Sequence, residues 1–94
     1  MAIVVTGDLP GGSAEQDTQM QRNLNLAGNP PAGALARIAG PIESGWRVVS
    51  VWESQDAWDA FHMQRLAPAL EKAGIQAPEF QIWRAESVFI PRPA

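Results

Sequence analysis

Cysteine and tyrosine are absent from this chain of 94 residues, and histidine occurs once. Without cysteine there is no disulfide staple, no thiolate nucleophile and no thiolate metal ligand. Without tyrosine there is no phenol for acid–base work. One histidine and no cysteine speak against a transition-metal site, so neither a metal nor a cofactor is expected. Positive charge is also scarce: seven Lys and Arg stand against ten Asp and Glu, and the seven are scattered. Nucleic acid asks for a basic stripe, so it is not an expected partner. No apolar run approaches the ~20 residues of a membrane span. The opening Met-Ala-Ile-Val-Val is too short, and lacks the basic flank, for a signal-peptide core. The expectation is a cytoplasmic protein with no membrane contact, folded as a single domain over residues 1–94. A domain this small buries roughly two-thirds of its unfolded surface, which leaves its stability thin.

What the chain does have is tryptophan, four against three Phe, and a regular order of elements. Ala2 to Thr6 reads as a short strand stopped by Gly7 and Pro10. Ser13-Ala14-Glu15-Gln16 is a capping box, opening a helix from about Ala14 to Leu24 with Met20 and Leu24 on a narrow apolar stripe. Two Pro and two Gly in Ala27–Gly33 make a stiff loop. Residues 34–40 form the second strand, and residues 45–53 return antiparallel to it. Ser54 caps a second helix, with Asp56 in its first turn where the helix dipole favours an anion. Trp58, Phe61, Leu66, Ala69, Leu70 and Ala73 recur at helical spacing, with His62 and Arg65 inside the stripe. Pro68 must kink or split that helix. Gly74 suits its left-handed end, with Ile75 packing back on Leu70. Residues 80–90 read as a fourth strand.

The order β-α-β-β-α-β is the split βαβ, ferredoxin-like arrangement: an α+β fold with an antiparallel sheet and both helices on one face. The third strand then poses a problem. Trp46, Val48 and Trp52 point to one side, Val49 and Val51 to the other. The fourth strand repeats it, with Phe80, Ile82, Val88 and Ile90 against Trp83 and Phe89. The face away from the helices should be polar. Whichever parity faces inward, a large apolar area stays outside, which is unusual for a soluble monomer. A homodimer joined through its sheet faces covers it.

The stretch Gly45-Trp-Arg-Val-Val-Ser-Val-Trp-Glu-Ser54, running into Gln55–Leu70, resembles the antibiotic-biosynthesis-monooxygenase-like proteins of the dimeric α/β-barrel superfamily. In these a strand ends in Trp-Glu-Ser and enters a helix of the form Ala-x-x-x-Phe. The resemblance spans most of the chain. It implies a pocket in each subunit between sheet and helices, and a cofactor-independent monooxygenase acting on a small aromatic, phenolic or polyketide-like substrate. Haem degradation fits poorly, because the positions where haem-degrading members carry Asn, Trp and His fall at Thr6 or Gly7, Phe61 and Glu71.

On this reading His62 and Trp52 are the candidate catalytic residues. His62 is the only histidine, the residue type suited to general-base work near neutral pH, and is either a general base or a packed ring at a pocket edge. Trp52 ends its strand at the mouth of the helix. Candidate substrate-binding residues are Trp58, Arg37, Ser50, Arg65 and Asn23. Arg37 and Arg65 either hold a carboxylate or enolate oxygen or form ion pairs, with Glu53 or Glu86 as partners. Ser50, small among apolar neighbours, either leaves room for a ligand or satisfies a carbonyl. Two other readings stay open: a non-catalytic dimeric barrel that binds a hydrophobic metabolite or is structural, and an isomerase or lyase using the same pocket without oxygen.

Overall fold

The computed structural model describes residues 1–91. Four strands, β1 (Ile3–Pro10), β2 (Ala34–Ile42), β3 (Gly45–Trp52) and β4 (Phe80–Arg84), form one antiparallel sheet in the order β2-β3-β1-β4. Helix α1 (Ala14–Leu24) crosses from β1 to β2. Helices α2 (Gln55–Phe61) and α3 (Ala67–Ala73), joined by a π-helical segment (His62–Leu66), cross from β3 to β4. This is the ferredoxin-like α+β arrangement that the element order predicts.

The caps explain where the helices begin and end. Ser13 Oγ accepts from the Gln16 amide and Ser54 Oγ from the Ala57 amide, each satisfying a donor that has no partner inside its helix. Asn25 and Gly74 close α1 and α3 in left-handed conformation. After Gly74, the Ile75 amide reaches back to the Leu70 carbonyl. The β2–β3 turn needs its glycine: Gly45 has φ 153°, and a Cβ there would overlap the Leu9 carbonyl and the Gly11 amide.

Three strands differ from the sequence expectation, β2 by running on through Pro41 and Ile42. β1 is longer, because β3 continues opposite it as far as the Pro10–Gly45 pair. β4 is far shorter than residues 80–90. Ile3 pairs with Arg84, the Ala85 amide bonds to the Ala2 carbonyl, and there the ladder between β1 and β4 stops. Residues 86–91 therefore carry no ladder within the subunit, and Phe89 is 88% exposed.

The strand-parity question is settled by burial. Ile3 and Val5 of β1 and Trp52 of β3 are buried and pack against Trp58, and Val48 and Ser50 share that inner face. Val4, Thr6, Val49, Val51, Ile38 and Trp83 occupy the outer face, where Ile38 is 67% and Trp83 49% exposed. No described element covers that outer face. No helix among the described residues is long and apolar enough to cross a membrane.

Candidate functional site

The inner face of the sheet does not pack solidly against the helices. A cavity of about 280 Å³ remains, close to the lower end of ligand pockets at roughly 300–1,000 Å³. Val5, Gly7, Val48, Ser50 and Trp52 form its floor. Met20 and Leu24 of α1, and Trp58, Phe61, Leu66 and Leu70 of the second helical arm, form its roof. Gly7 is part of the design: a Cβ there would meet the Phe80 ring at 2.9 Å, so the missing side chain lets Phe80 close one wall.

The wall is aromatic on one side. Trp52 meets Trp58 edge-on at 5.6 Å between ring centroids and Phe61 at 5.1 Å, and Phe80 lies edge-on to Trp58 at 5.0 Å. Such geometries follow from ring quadrupoles, which disfavour a face-to-face sandwich. Trp52 and Trp58 are 3% and 4% exposed, so neither has freedom to swing away. Of the indole nitrogens on the inner face, Trp52 Nε1 donates to Ser50 Oγ at 2.8 Å.

The wall is charged at one point only among the described residues. Asp17 faces inward from α1 and takes both terminal nitrogens of Arg37 of β2, with Gln21 Nε2 donating to it as well, at 2.9 Å. Burial pushes the Asp17 carboxyl up, but the hydrogen bonds and charge of Arg37 and the bond from Gln21 outweigh it, leaving its pKa below the usual carboxylate range. The buried Trp46 Nε1 leans toward the same carboxylate and favours its charged form, yet the approach is too loose to make a hydrogen bond. Asp17 and Arg37, with Leu26, also line a shallow cleft outside. The ion pair is thus a partition between cavity and solvent. Gln16, Ile75 and Pro78 line both the cavity and a cleft that reaches round to Arg47 and Trp83.

The structure brings together Trp52, Trp58, Ser50 and Arg37 at this cavity. It does not bring the other three candidates to the wall. His62 stacks on Trp58 at 5.3 Å with only 5° between the planes, and lies edge-on to Phe80 at 5.2 Å, behind the rings that face the cavity. Arg65 donates to the Leu24 carbonyl at the end of α1 and lies over Phe61, 5.5 Å from its centroid. Asn23 is exposed on α1, where its Oδ1 accepts from Gln19. Arg37 pairs with Asp17 rather than Glu53 or Glu86, while Glu86 pairs with Arg84 at 2.7 Å. Among the described residues no three His, Cys, Asp or Glu side chains cluster to hold a metal ion.

Asp17 is the site residue that sequence reasoning missed. The signal was there: it stands three positions before Met20 and seven before Leu24, on the stripe that faces the sheet.

No protein-family model and no curated protein matches the chain. Solved structures do. A Nitrosomonas europaea protein of unknown function superposes with TM-score 0.68 at 19% identity, covering 98% of this chain and 94% of that one. A Chloroflexus aurantiacus protein, provisionally assigned as an antibiotic biosynthesis monooxygenase, gives 0.65 at 14%, covering 95% and 97%. A point variant of SnoaB, a cofactor-independent oxygenase from Streptomyces nogalater, gives 0.62 at 15%, covering 93% of each chain. The antiparallel β2-β3-β1-β4 sheet, with its two helical arms on one face, is a fold that this chain shares with these solved structures.

Proposed function

We propose that this chain is a cofactor-independent monooxygenase of the cytoplasm, working as a homodimer on a small aromatic, phenolic or polyketide-like substrate. The observation that carries this reading is the cavity itself. An unfilled apolar space between sheet and helices costs stability, and its aromatic wall suits a flat ring system. SnoaB, described as a cofactor-independent oxygenase, shares the fold and supports the same direction.

The chemistry has to be driven by the substrate. An activated methylene between aromatic rings loses a proton, and the resulting carbanion gives an electron to dioxygen. Recombination at carbon and loss of water leave a carbonyl: the methylene carbon gives up two hydrogens and gains one oxygen atom, and the second oxygen atom leaves as water. All four electrons come from the substrate. In this mechanism Trp52 and Trp58 hold the ring and exclude bulk water. Asp17 is a poor base, because Arg37 stabilises its charged form. His62 lies behind Trp58 and supports that ring. The proton therefore passes to water at the cavity mouth, which confines the reaction to substrates acidic at carbon.

The test is oxygen uptake with anthrone, in the presence of a chelator and without added flavin. The expected result is protein-dependent uptake with one O₂ consumed per anthraquinone formed. Uptake no faster than the protein-free blank, with anthrone bound, would favour a second reading: a barrel that binds an apolar metabolite without turning it over. The scarcity of a free base at the wall is the observation on that side.

A further inference from the structure

Trp52 and Ser50 stand two residues apart on the inner face of β3, and their hydrogen bond has a direction. An indole nitrogen only donates, so the Ser50 oxygen is the acceptor at 2.8 Å. The hydroxyl keeps its own proton, and no acceptor among the described residues takes it. Ser50 lies at the floor of the cavity, between Val5 and Arg37 in the ladder, with Val48 beside it on the same face. A hydroxyl that accepts from an indole N–H is polarised into a better donor. Donating it into a mostly apolar space is worth little unless something there receives it.

The other polar groups at the wall are otherwise engaged. Both terminal nitrogens of Arg37 are on Asp17, and Arg65 is on the Leu24 carbonyl. Gln16 reaches the wall only at the rim, where it lines the outer cleft as well. No free cation faces the interior among the described residues, so a carboxylate has no partner there. A ketone, or a phenolic or enolic oxygen whose charge is spread over a ring, needs only one good donor.

We propose that the Ser50 hydroxyl is the donor that receives the ligand's oxygen, and that Trp52 is a positioning residue that aims and polarises it. The ligand class is an apolar ring system bearing a carbonyl, phenolate or enolate oxygen, and not a carboxylic acid. This rests on the cavity being the ligand site, as the proposed function takes it to be, but needs no oxygen chemistry.

The experiment compares two probes of nearly the same shape, 1-tetralone and tetralin, by calorimetric titration. The ketone accepts and cannot donate or ionise. Ser50→Ala should weaken 1-tetralone about fivefold to tenfold and change tetralin less than about twofold. Ser50→Thr, which keeps a hydroxyl on a residue suited to a strand, should restore ketone binding to within about threefold. Trp52→Phe should weaken the ketone more than the hydrocarbon, which loss of packing alone does not do. Tetralin bound, with Ser50→Ala affecting both probes equally, sinks the donor and leaves the cavity reading standing. Neither probe binding the wild type sinks both. Binding of 1-naphthoate as tight as that of the ketone overturns the ligand class.

Discussion

At the scale of single residues, the Asp17–Arg37 pair has a consequence for pH. The folded pKa of Asp17 lies below its ordinary value. The stabilisation is therefore complete above the ~3.9 of an unfolded chain and is lost as pH falls through the folded pKa. Melting temperature should drop below about pH 4, and Asp17→Asn should flatten that limb. At pH 7 the same variant should cost about 1–2 kcal/mol, since Arg37 keeps a charge without a partner but is itself part-exposed. Asp8 is also held low, by hydrogen bonds from Arg47, but this pair lies on the exposed outer face. Asp8→Asn should flatten the limb less, and an equal effect would remove the special role of Asp17. His62 supports a second test. If it only props Trp58, His62→Ala should lower turnover of anthrone about threefold to tenfold, the worth of one ring contact, and His62→Phe should restore most of it. A loss of ~100-fold or more in both variants would make it the base. Trp58 was legible in the sequence, because it falls on a helical stripe with a fixed period, whereas the strand period left open which face carries Trp52 and only burial decided it. His62 shares that helical stripe yet lies one ring too far out, a distinction that periodicity does not carry. Asp17 was hidden because a carboxylate on an apolar stripe is explained only by its partner, twenty residues away on a strand.

At the scale of elements, the second helical arm shows what local rules do and do not give. Pro68 lacks an amide, and the sequence called for a kink or break there. The helix does split, and a π segment joins its two parts, in which the Ala67 amide reaches back five residues to the His62 carbonyl. One extra residue is absorbed in the turn, and the phases of α2 and α3 are set separately: Trp58 faces in from the first, Leu70 from the second. This phasing also brings Arg65 over the end of α1. If the segment is one residue of slack, deleting the exposed Gln64 should leave a continuous helix with both faces in register. The deletion variant should fold, keep its far-UV helical signal and lose no more than about 2 kcal/mol, chiefly the Arg65 bond to a carbonyl. Loss of cooperative unfolding in that variant would show that the π turn sets the packing. β4 was misjudged for a different reason. Its residues have strand propensity to Ile90, but a strand needs a neighbour, and the ladder to β1 stops at the Ile3–Arg84 pair with one further bond from the Ala85 amide to Ala2. Pairing partners are a property of the sheet, and no single segment reveals where they run out.

At the scale of the molecule, the outer face of the sheet remains. Asp8 and Arg47 pair across it, yet Val4, Val49, Val51, Ile38 and Trp83 make most of it apolar, and Val88, Phe89 and Ile90 add exposed apolar surface beyond β4. Buried apolar side chains inside are few: Ile3, Val5, Leu24, Trp52, Trp58 and Leu70 among the described residues, with a cavity between them. A second copy laid sheet to sheet would cover the outer face and supply the burial that so thin a core lacks, provided the contact reaches roughly 800 Å² on each side. The homodimer proposed on this ground is testable at Val49, at the centre of the outer face and remote from the cavity floor. Val49→Lys leaves the inner face untouched but would place a charge in the interface without a partner, which costs several kcal/mol. Sedimentation at micromolar concentration should show a dimer for the wild type and a folded monomer for Val49→Lys. A wild-type monomer under those conditions would mean that the two-sided apolar strand 45–52 is covered in some way other than by its own copy.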